Sequence, residues 1–303
     1  MKEMTQLQQE IRAAFPQAEL RFEESLARHT SFKIGGPAEV MAFPRRVEEL
    51  SEMLAWARAR GISPRILGAG TNVLAPDQGV RGLILCTKGC LNGMERISDR
   101  EIRVQSGVTM ARAAVFAAEL GLSGLEFAHG IPGTVGGGLY MNAGAYGGEI
   151  RQVAVRTEYL DMTGALHCLE GEAQDFSYRH SAFTGKPWVI VSGTFRLEPA
   201  PEETIRARMQ ELMAKRKASQ PLELPSAGST FKRPVGGYAA ALIDQAGLKG
   251  CRVGGAAVSE KHAGFVVNLG GATQEDVLAL IAHIQEKVKE TSGITLEPEV
   301  IRL

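Results

Sequence analysis

HGIPGTVGGGLYMNAGAYGGEI, residues 129–150, holds eight glycines in twenty-two residues and no Lys, Arg or Asp. Glycine reaches backbone angles that other residues avoid, and its missing side chain lets a second surface come close. The segment therefore either packs tightly against another layer of the protein or cradles something large and flat. Gly130, Ile131, Pro132, Gly133 and Thr134 supply a rigid turn, and Val135, Gly136, Gly137 and Gly138 continue it with unhindered N–H groups. With so little charge, such a run would hold a polyanion through backbone dipoles and hydroxyls, not through ion pairs. Asn142, Ala143 and Gly144 add a side-chain amide and more bare backbone. A glycine-lined packing surface is the competing reading, and sequence alone leaves both open.

A second glycine turn lies upstream in ILGAGTNVL, residues 66–74. A strand running into Gly68, Ala69 and Gly70 suggests a phosphate loop, but the dinucleotide fingerprint needs a helix directly after the glycines and an acidic residue about 20 positions on. Here Ala75-Pro76-Asp77 breaks any helix, and residues 84–94 hold no Asp or Glu. The Rossmann reading fails on both counts. A tight turn remains, whose N–H groups, with the Thr71 and Asn72 side chains, suit phosphate oxygens. An ordinary β-turn fits the same residues.

The 303 residues suffice for two or three domains, and 34 basic residues balance 34 acidic ones. Neutrality argues against nucleic acid or an anionic membrane as the main partner, since both require a clustered positive surface. The N-terminal MKEMTQLQQEIRAAFPQAEL is charged and amphipathic, unlike a secretory signal, and no apolar run is long enough to span a bilayer. Cys86, Cys90, Cys168 and Cys251 form no CxxC pair, and the six histidines form no HxxxH or HExxH face, so no metal site is expected. A cytoplasmic protein is the simplest expectation; oligomeric state is left open, with a monomer sufficient.

Strands are expected at 38–44, 64–70, 82–86 and 101–107. A helix is expected from Val47 to a cap at Gly61, and another from an N-cap at Thr109 to Gly121. Residues 153–170 read as a hairpin turning at 162–164, and 188–198 as a strand. Pro199 and Pro201 precede a polar helix and mark a boundary. Further on come a helix at 238–250, a strand at 262–270 and a helix capped by Thr273, with Val277, Leu280, Ile281, Ile284 and Val288 on one apolar face.

Taken together, GAGTNVL and HGIPGTVGGGLYMNAGAYGGEI resemble the flavin-holding segments of the UDP-N-acetylenolpyruvoylglucosamine reductase family. The likeness continues through FSYRHSAF (176–183), QPLELPSAGSTFKRP (220–234), VSEKHAGFVVN (258–268) and LEPEVIRL (296–303), in the family's order and over nearly the whole chain. The resemblance implies a mixed α/β fold: a vanillyl-alcohol-oxidase-type FAD-binding fold of two subdomains, 1–86 and 87–201, with a C-terminal α/β substrate-binding domain, 202–303, whose last strand returns to the first subdomain. It implies FAD on residues 68–72 and 130–137, with Asn142, Ala143 and Gly144 alongside, and NADPH as reductant. Neither His nor Cys occurs in 68–74, so a dissociable flavin is expected.

The family's reaction saturates the double bond of an enolpyruvyl ether on UDP-N-acetylglucosamine, a step of peptidoglycan precursor synthesis. Hydride passes from NADPH to flavin N5 and then to the terminal enolpyruvyl carbon. Charge shifts onto the carboxylate, and a proton completes the carbon bearing the ether oxygen. Arg179 matches the catalytic arginine, whose planar fork suits the growing carboxylate charge; a lone arginine is otherwise an ordinary surface ion pair. Ser229 matches the proton donor, with Lys232 and Glu299 as neighbours able to assist; a turn hydroxyl is the plain alternative. Thr230 is a rival hydroxyl that should point the other way in an extended segment. Glu299 matches the third catalytic residue, protonated when the enediolate forms. Tyr178, Lys232, Arg233 and His262 are expected near the substrate. A basic run, Lys215-Arg216-Lys217, could also meet a diphosphate or carboxylate, but such a helix end is usually a solvated cap that complements the helix dipole. Longer relatives carry a tyrosine loop that this chain lacks between Phe183 and Pro199, so it resembles the shorter second type. The rival functions are a sugar or alcohol oxidase of the same fold and a non-catalytic flavin or nucleotide-sugar binder.

Overall fold

The computed structural model describes residues 3–303. The chain forms two compact units. One comprises residues up to Phe22, Val40–Ala69 and Gly82–Arg216; the other comprises Glu23–Glu39, Gly70–Arg81 and Lys217–Leu303.

In the first unit, five antiparallel strands lie in the order Leu166–Glu170, Ala154–Leu160, Val189–Arg196, Glu101–Gln105 and Met94–Arg96. The first two form the expected hairpin. Helix Met110–Glu119 follows its N-cap Thr109, whose hydroxyl accepts the Arg112 N–H, and Leu120 and Gly121 close it. Its alanine face packs with Ile102, Val104, Leu139 and Phe195 in one core. Apolar burial of this kind, worth about 25 cal/mol per Å², holds the helix to the sheet. A second core gathers Leu50, Met53, Leu54 and Ala57 of helix Val47–Ala59 with Val40, Leu83, Leu85, Leu160, Val189 and Val191. Strand Arg65–Leu67 pairs in parallel with Val80–Cys86, so the loop after Leu67 leaves from a sheet edge.

Residues 135–140 depart from the sequence expectation. The glycine run is not only a turn: Val135–Tyr140 is a short helix N-capped by Thr134. Three consecutive glycines oppose a helix by about 1 kcal/mol each, and tertiary partners overcome that cost. The Val135 N–H donates to the Val108 carbonyl at 2.8 Å and the Gly136 N–H to Ser106 at 3.0 Å.

The second unit is built on three antiparallel strands, Arg252–Val253, Ala256–Val258 and Val266–Asn268. The last strand is shorter than expected because His262–Phe265 forms a turn, closed by the Phe265 N–H on the His262 carbonyl. Helix Gln274–Ser292 is capped by a reciprocal Thr273–Asp276 box and ends on left-handed Gly293. Its buried face is the expected one, Val277, Leu280, Ile281, Ile284 and Val288. The chain ends on strand Ile301–Arg302, which pairs in parallel with Val73–Leu74. Among the described residues, no helix is long and apolar enough to cross a membrane and no cluster of three or more His, Cys, Asp or Glu suits a metal ion.

Candidate functional site

The two glycine segments meet in the first unit. A Cβ added to Gly68 would stand 2.7 Å from the Thr134 hydroxyl oxygen. That hydroxyl also accepts the Gly137 N–H at 3.3 Å. The N–H groups of Val135, Gly136, Gly137 and Gly138 are therefore all committed inside the protein, the last to the Thr134 carbonyl at 2.8 Å. The N–H groups of Gly130, Gly133 and Thr134, and of Gly68, Ala69 and Gly70, find no acceptor among the described residues. Those of the first unit, from Gly68, Ala69, Gly130, Gly133 and Thr134, suit a diphosphate, and no carboxylate lies in 66–72 or 129–144.

The glycines divide by purpose. A Cβ on Gly136 would fall 2.8 Å from the Ser106 Cβ, so that position serves close packing. Gly137 is exposed, and its added Cβ would meet only the Thr134 hydroxyl at an ordinary 3.7 Å. Its bareness answers to nothing inside the protein. In the second unit, Gly70 has φ +61° and a Cβ there would lie 2.2 Å from the His29 carbonyl oxygen, so only glycine fits. This bare backbone, with donors aimed at no protein group, fits FAD.

Arg216, in the basic run at the end of helix Glu202–Ser219, lies against the glycine segment. Its Cδ would be 3.3 Å from a Cβ on Gly130, and burial pulls its guanidinium pKa down. Lys215, by contrast, pairs with Glu211 on the helix surface at 2.6 Å.

Arg179 lies on a tight turn of the first unit. Ser177 and His180 exchange both backbone hydrogen bonds at 3.2 Å, with Tyr178 and Arg179 at the corner. Arg179 takes φ +55°, a left-handed value that costs a non-glycine residue roughly 1 kcal/mol. Its guanidinium stands over the Tyr178 ring at 5.1 Å.

In the second unit, residues 230–232 pair with 297–299. The Glu299 N–H donates to the Thr230 carbonyl at 2.8 Å and the Lys232 N–H to the Glu297 carbonyl at 2.9 Å. This brings Ser229 and Glu299 to neighbouring places. The Asn72 amide donates to the Glu299 carbonyl at 3.1 Å, and the Ile301 N–H donates to the Asn72 carbonyl at 2.9 Å, which anchors the C-terminal segment. The alternation expected at 229–230 is observed. Thr230 is 1 % exposed and its hydroxyl accepts the Val266 N–H at 2.9 Å, while Ser229 is exposed. Lys232 pairs with Glu297, which gives that glutamate its own role. Arg233 stacks on Tyr238 at 4.5 Å. The His262 Nδ1 accepts the Gly264 N–H at 3.2 Å, and burial lowers its pKa, so the ring is a turn element with its Nε2 protonated in the neutral form.

A glycine cradle on a mixed α/β framework is what a flavin enzyme of the vanillyl-alcohol-oxidase type presents, and residues 38–169 match the FAD binding domain family. The chain is an FAD-dependent oxidoreductase. Residues 220–303 match the family described as UDP-N-acetylenolpyruvoylglucosamine reductase, C-terminal domain. A UDP-N-acetylenolpyruvoylglucosamine reductase of Caldanaerobacter subterraneus is 44% identical over 290 residues, covering 96% of this chain and 95% of its own. One of Levilactobacillus brevis is 45% identical over 293 residues, with 96% and 95% covered. The crystal structure of UDP-N-acetylenolpyruvylglucosamine reductase from Thermus caldophilus aligns at TM-score 0.77 and 35% identity, over 94% of this chain and 98% of that one. The chain belongs to the UDP-N-acetylenolpyruvoylglucosamine reductase family.

Proposed function

We propose that the chain reduces UDP-N-acetylglucosamine enolpyruvate to UDP-N-acetylmuramate with NADPH, in cytoplasmic peptidoglycan precursor synthesis. The observation that carries this reading is the pairing of 230–232 with 297–299, which sets the backbone of Glu299 opposite Thr230, one residue from Ser229, although the segments lie far apart in sequence. Bound FAD would supply the redox chemistry, relaying a hydride from NADPH to the terminal enolpyruvyl carbon.

The residues divide the remaining work. N–H groups of Gly68, Ala69, Gly70, Gly130, Gly133 and Thr134 hold the FAD diphosphate, with Thr71 and Asn72 beside them. Ile131, Pro132, Gly136, Gly137, Ala143 and Gly144 form the bare wall against which the cofactor lies without a covalent bond. Arg179 grips the substrate carboxylate and offsets the charge that grows on it. Ser229 gives its proton to the carbon bearing the ether oxygen, and Glu299, protonated, hydrogen-bonds the enediolate as it forms. Lys232 and Arg233 meet the substrate diphosphate, while Tyr178 and His262 border the sugar.

The test is an anaerobic titration of the purified holoenzyme. NADPH should bleach the flavin's visible absorption, and the enolpyruvyl sugar should restore it with one UDP-N-acetylmuramate formed per flavin. Restoration by oxygen alone, with the sugar inert, would overturn the reading in favour of an oxidase.

A further inference from the structure

We propose that Asn142 is a positioning residue that holds the turn carrying Arg179, and that its side chain serves this purpose instead of touching a ligand. The proposal rests on the reading that Arg179 meets the substrate carboxylate.

Asn142 is 1 % exposed and every polar atom of its amide is engaged within the first unit. Its Nδ2 donates to the Ser177 carbonyl at 2.9 Å and to Glu149 Oε2 at 3.0 Å, and its Oδ1 accepts the Arg151 N–H at 2.9 Å. Two acceptors face the nitrogen and one donor faces the oxygen, so this orientation alone satisfies all three. Both N–H donors of the amide are spent inside the protein, and its oxygen already holds one protein donor.

The bond to Ser177 bears directly on Arg179. Ser177 opens the two-residue corner, and its carbonyl also accepts the His180 N–H at 3.2 Å. A second tie closes the far side: the Ser181 hydroxyl donates to the Tyr140 carbonyl at 2.7 Å. The two anchors, residues 140 and 142, lie at the end of helix Val135–Tyr140 and two residues beyond it. The end of the glycine segment therefore fixes the turn from two sides and keeps Arg179 at φ +55°. A corner free to relax would return Arg179 to right-handed or extended angles and swing its guanidinium away. Asn142 itself sits at φ +42°, which asparagine tolerates better than most residues. The same position thus demands a residue that accepts left-handed backbone and offers two N–H donors.

Asn142→Gly keeps the backbone conformation and removes the amide; Asn142→Asp keeps the size and replaces the donors with a carboxylate facing Glu149. Both are compared with Arg179→Ala in stopped-flow half-reactions of the holoenzymes, with substrate affinity followed by calorimetry. Flavin reduction by NADPH should stay within about twofold of the parent for all three. Reoxidation by the enolpyruvyl sugar should slow about 10- to 100-fold in both Asn142 variants, as misplaced catalytic groups do, and the substrate Kd should rise. In the Arg179→Ala background, Asn142→Gly should add no further loss. Equal slowing of both half-reactions, loss of flavin from both variants, or full additivity with Arg179→Ala would each overturn the proposal. If Arg179→Ala itself reoxidises normally, the underlying reading of Arg179 fails instead.

Discussion

The backbone N–H of Glu299 donates to the carbonyl of Thr230 at 2.8 Å. Through this bond the C-terminal segment, anchored on Asn72, runs beside the residue that follows Ser229. The C-terminal segment thus lies beside Thr230, and the pleat between 229 and 230 decides which hydroxyl is offered outward.

That division predicts opposite outcomes for two adjacent substitutions. Thr230→Val leaves the buried Val266 N–H without its acceptor and should cost about 1–3 kcal/mol of stability. Ser229→Ala removes an exposed hydroxyl and should change stability by less than about 0.5 kcal/mol. Chemical denaturation of the apoproteins checks both; equal destabilisation would contradict the assignment of the inward and outward hydroxyls.

Adjacent glycines should also diverge. Gly136→Ala forces a Cβ against Ser106 and should cost about 1–3 kcal/mol by overpacking. Gly137→Ala meets only the Thr134 hydroxyl, at ordinary contact distance on a helix, and should stabilise the apoprotein by up to about 1 kcal/mol. If Gly137 is bare for the flavin's sake, its alanine variant should bind FAD more weakly while melting at higher temperature. Thermal melts with and without FAD measure both effects.

Thr134→Val should remove the cap of helix Val135–Tyr140 and the surface facing Gly68 together. A loss of about 0.5–2 kcal/mol is expected from the cap alone, with a fall in flavin bound per protein. Unchanged stability would show that the Gly137 N–H finds another acceptor.

Glu158 gives a pH dependence. Its burial opposes charge, but the Ser192 hydroxyl and the Arg103 guanidinium outweigh that and hold the carboxyl below its ordinary 4.5. A depressed folded-state pKa contributes stability that is fully present above 4.5 and is lost as pH falls through the lower folded value. Glu158→Gln should therefore melt below the parent at neutral pH, and the gap should narrow as pH drops beneath 4.5. A gap independent of pH would contradict the ionic role.

Much of this was readable in the chain. Caps at Thr109 and Thr273, the apolar face of Gln274–Ser292 and the 162–164 turn are local signals, written within a few residues. That Ser229 and Thr230 face opposite ways followed from the alternation of an extended segment. Helix Val135–Tyr140 was not legible, because its glycines argue against a helix and its support comes from carbonyls at 106 and 108. The task of Asn142 and the placement of Arg216 beside Gly130 were hidden for the same reason: Ser177 and Gly130 lie far from them in sequence. A left-handed arginine carries no sequence mark at all.

The most direct test of the central claim is the pair of anaerobic half-reactions in Ser229→Ala. Flavin reduction by NADPH should proceed at the parent rate, while reoxidation by the enolpyruvyl sugar should fall about 10²- to 10⁴-fold, the span of a lost general acid. Reoxidation at the parent rate would contradict the account, since the proton would then come from elsewhere.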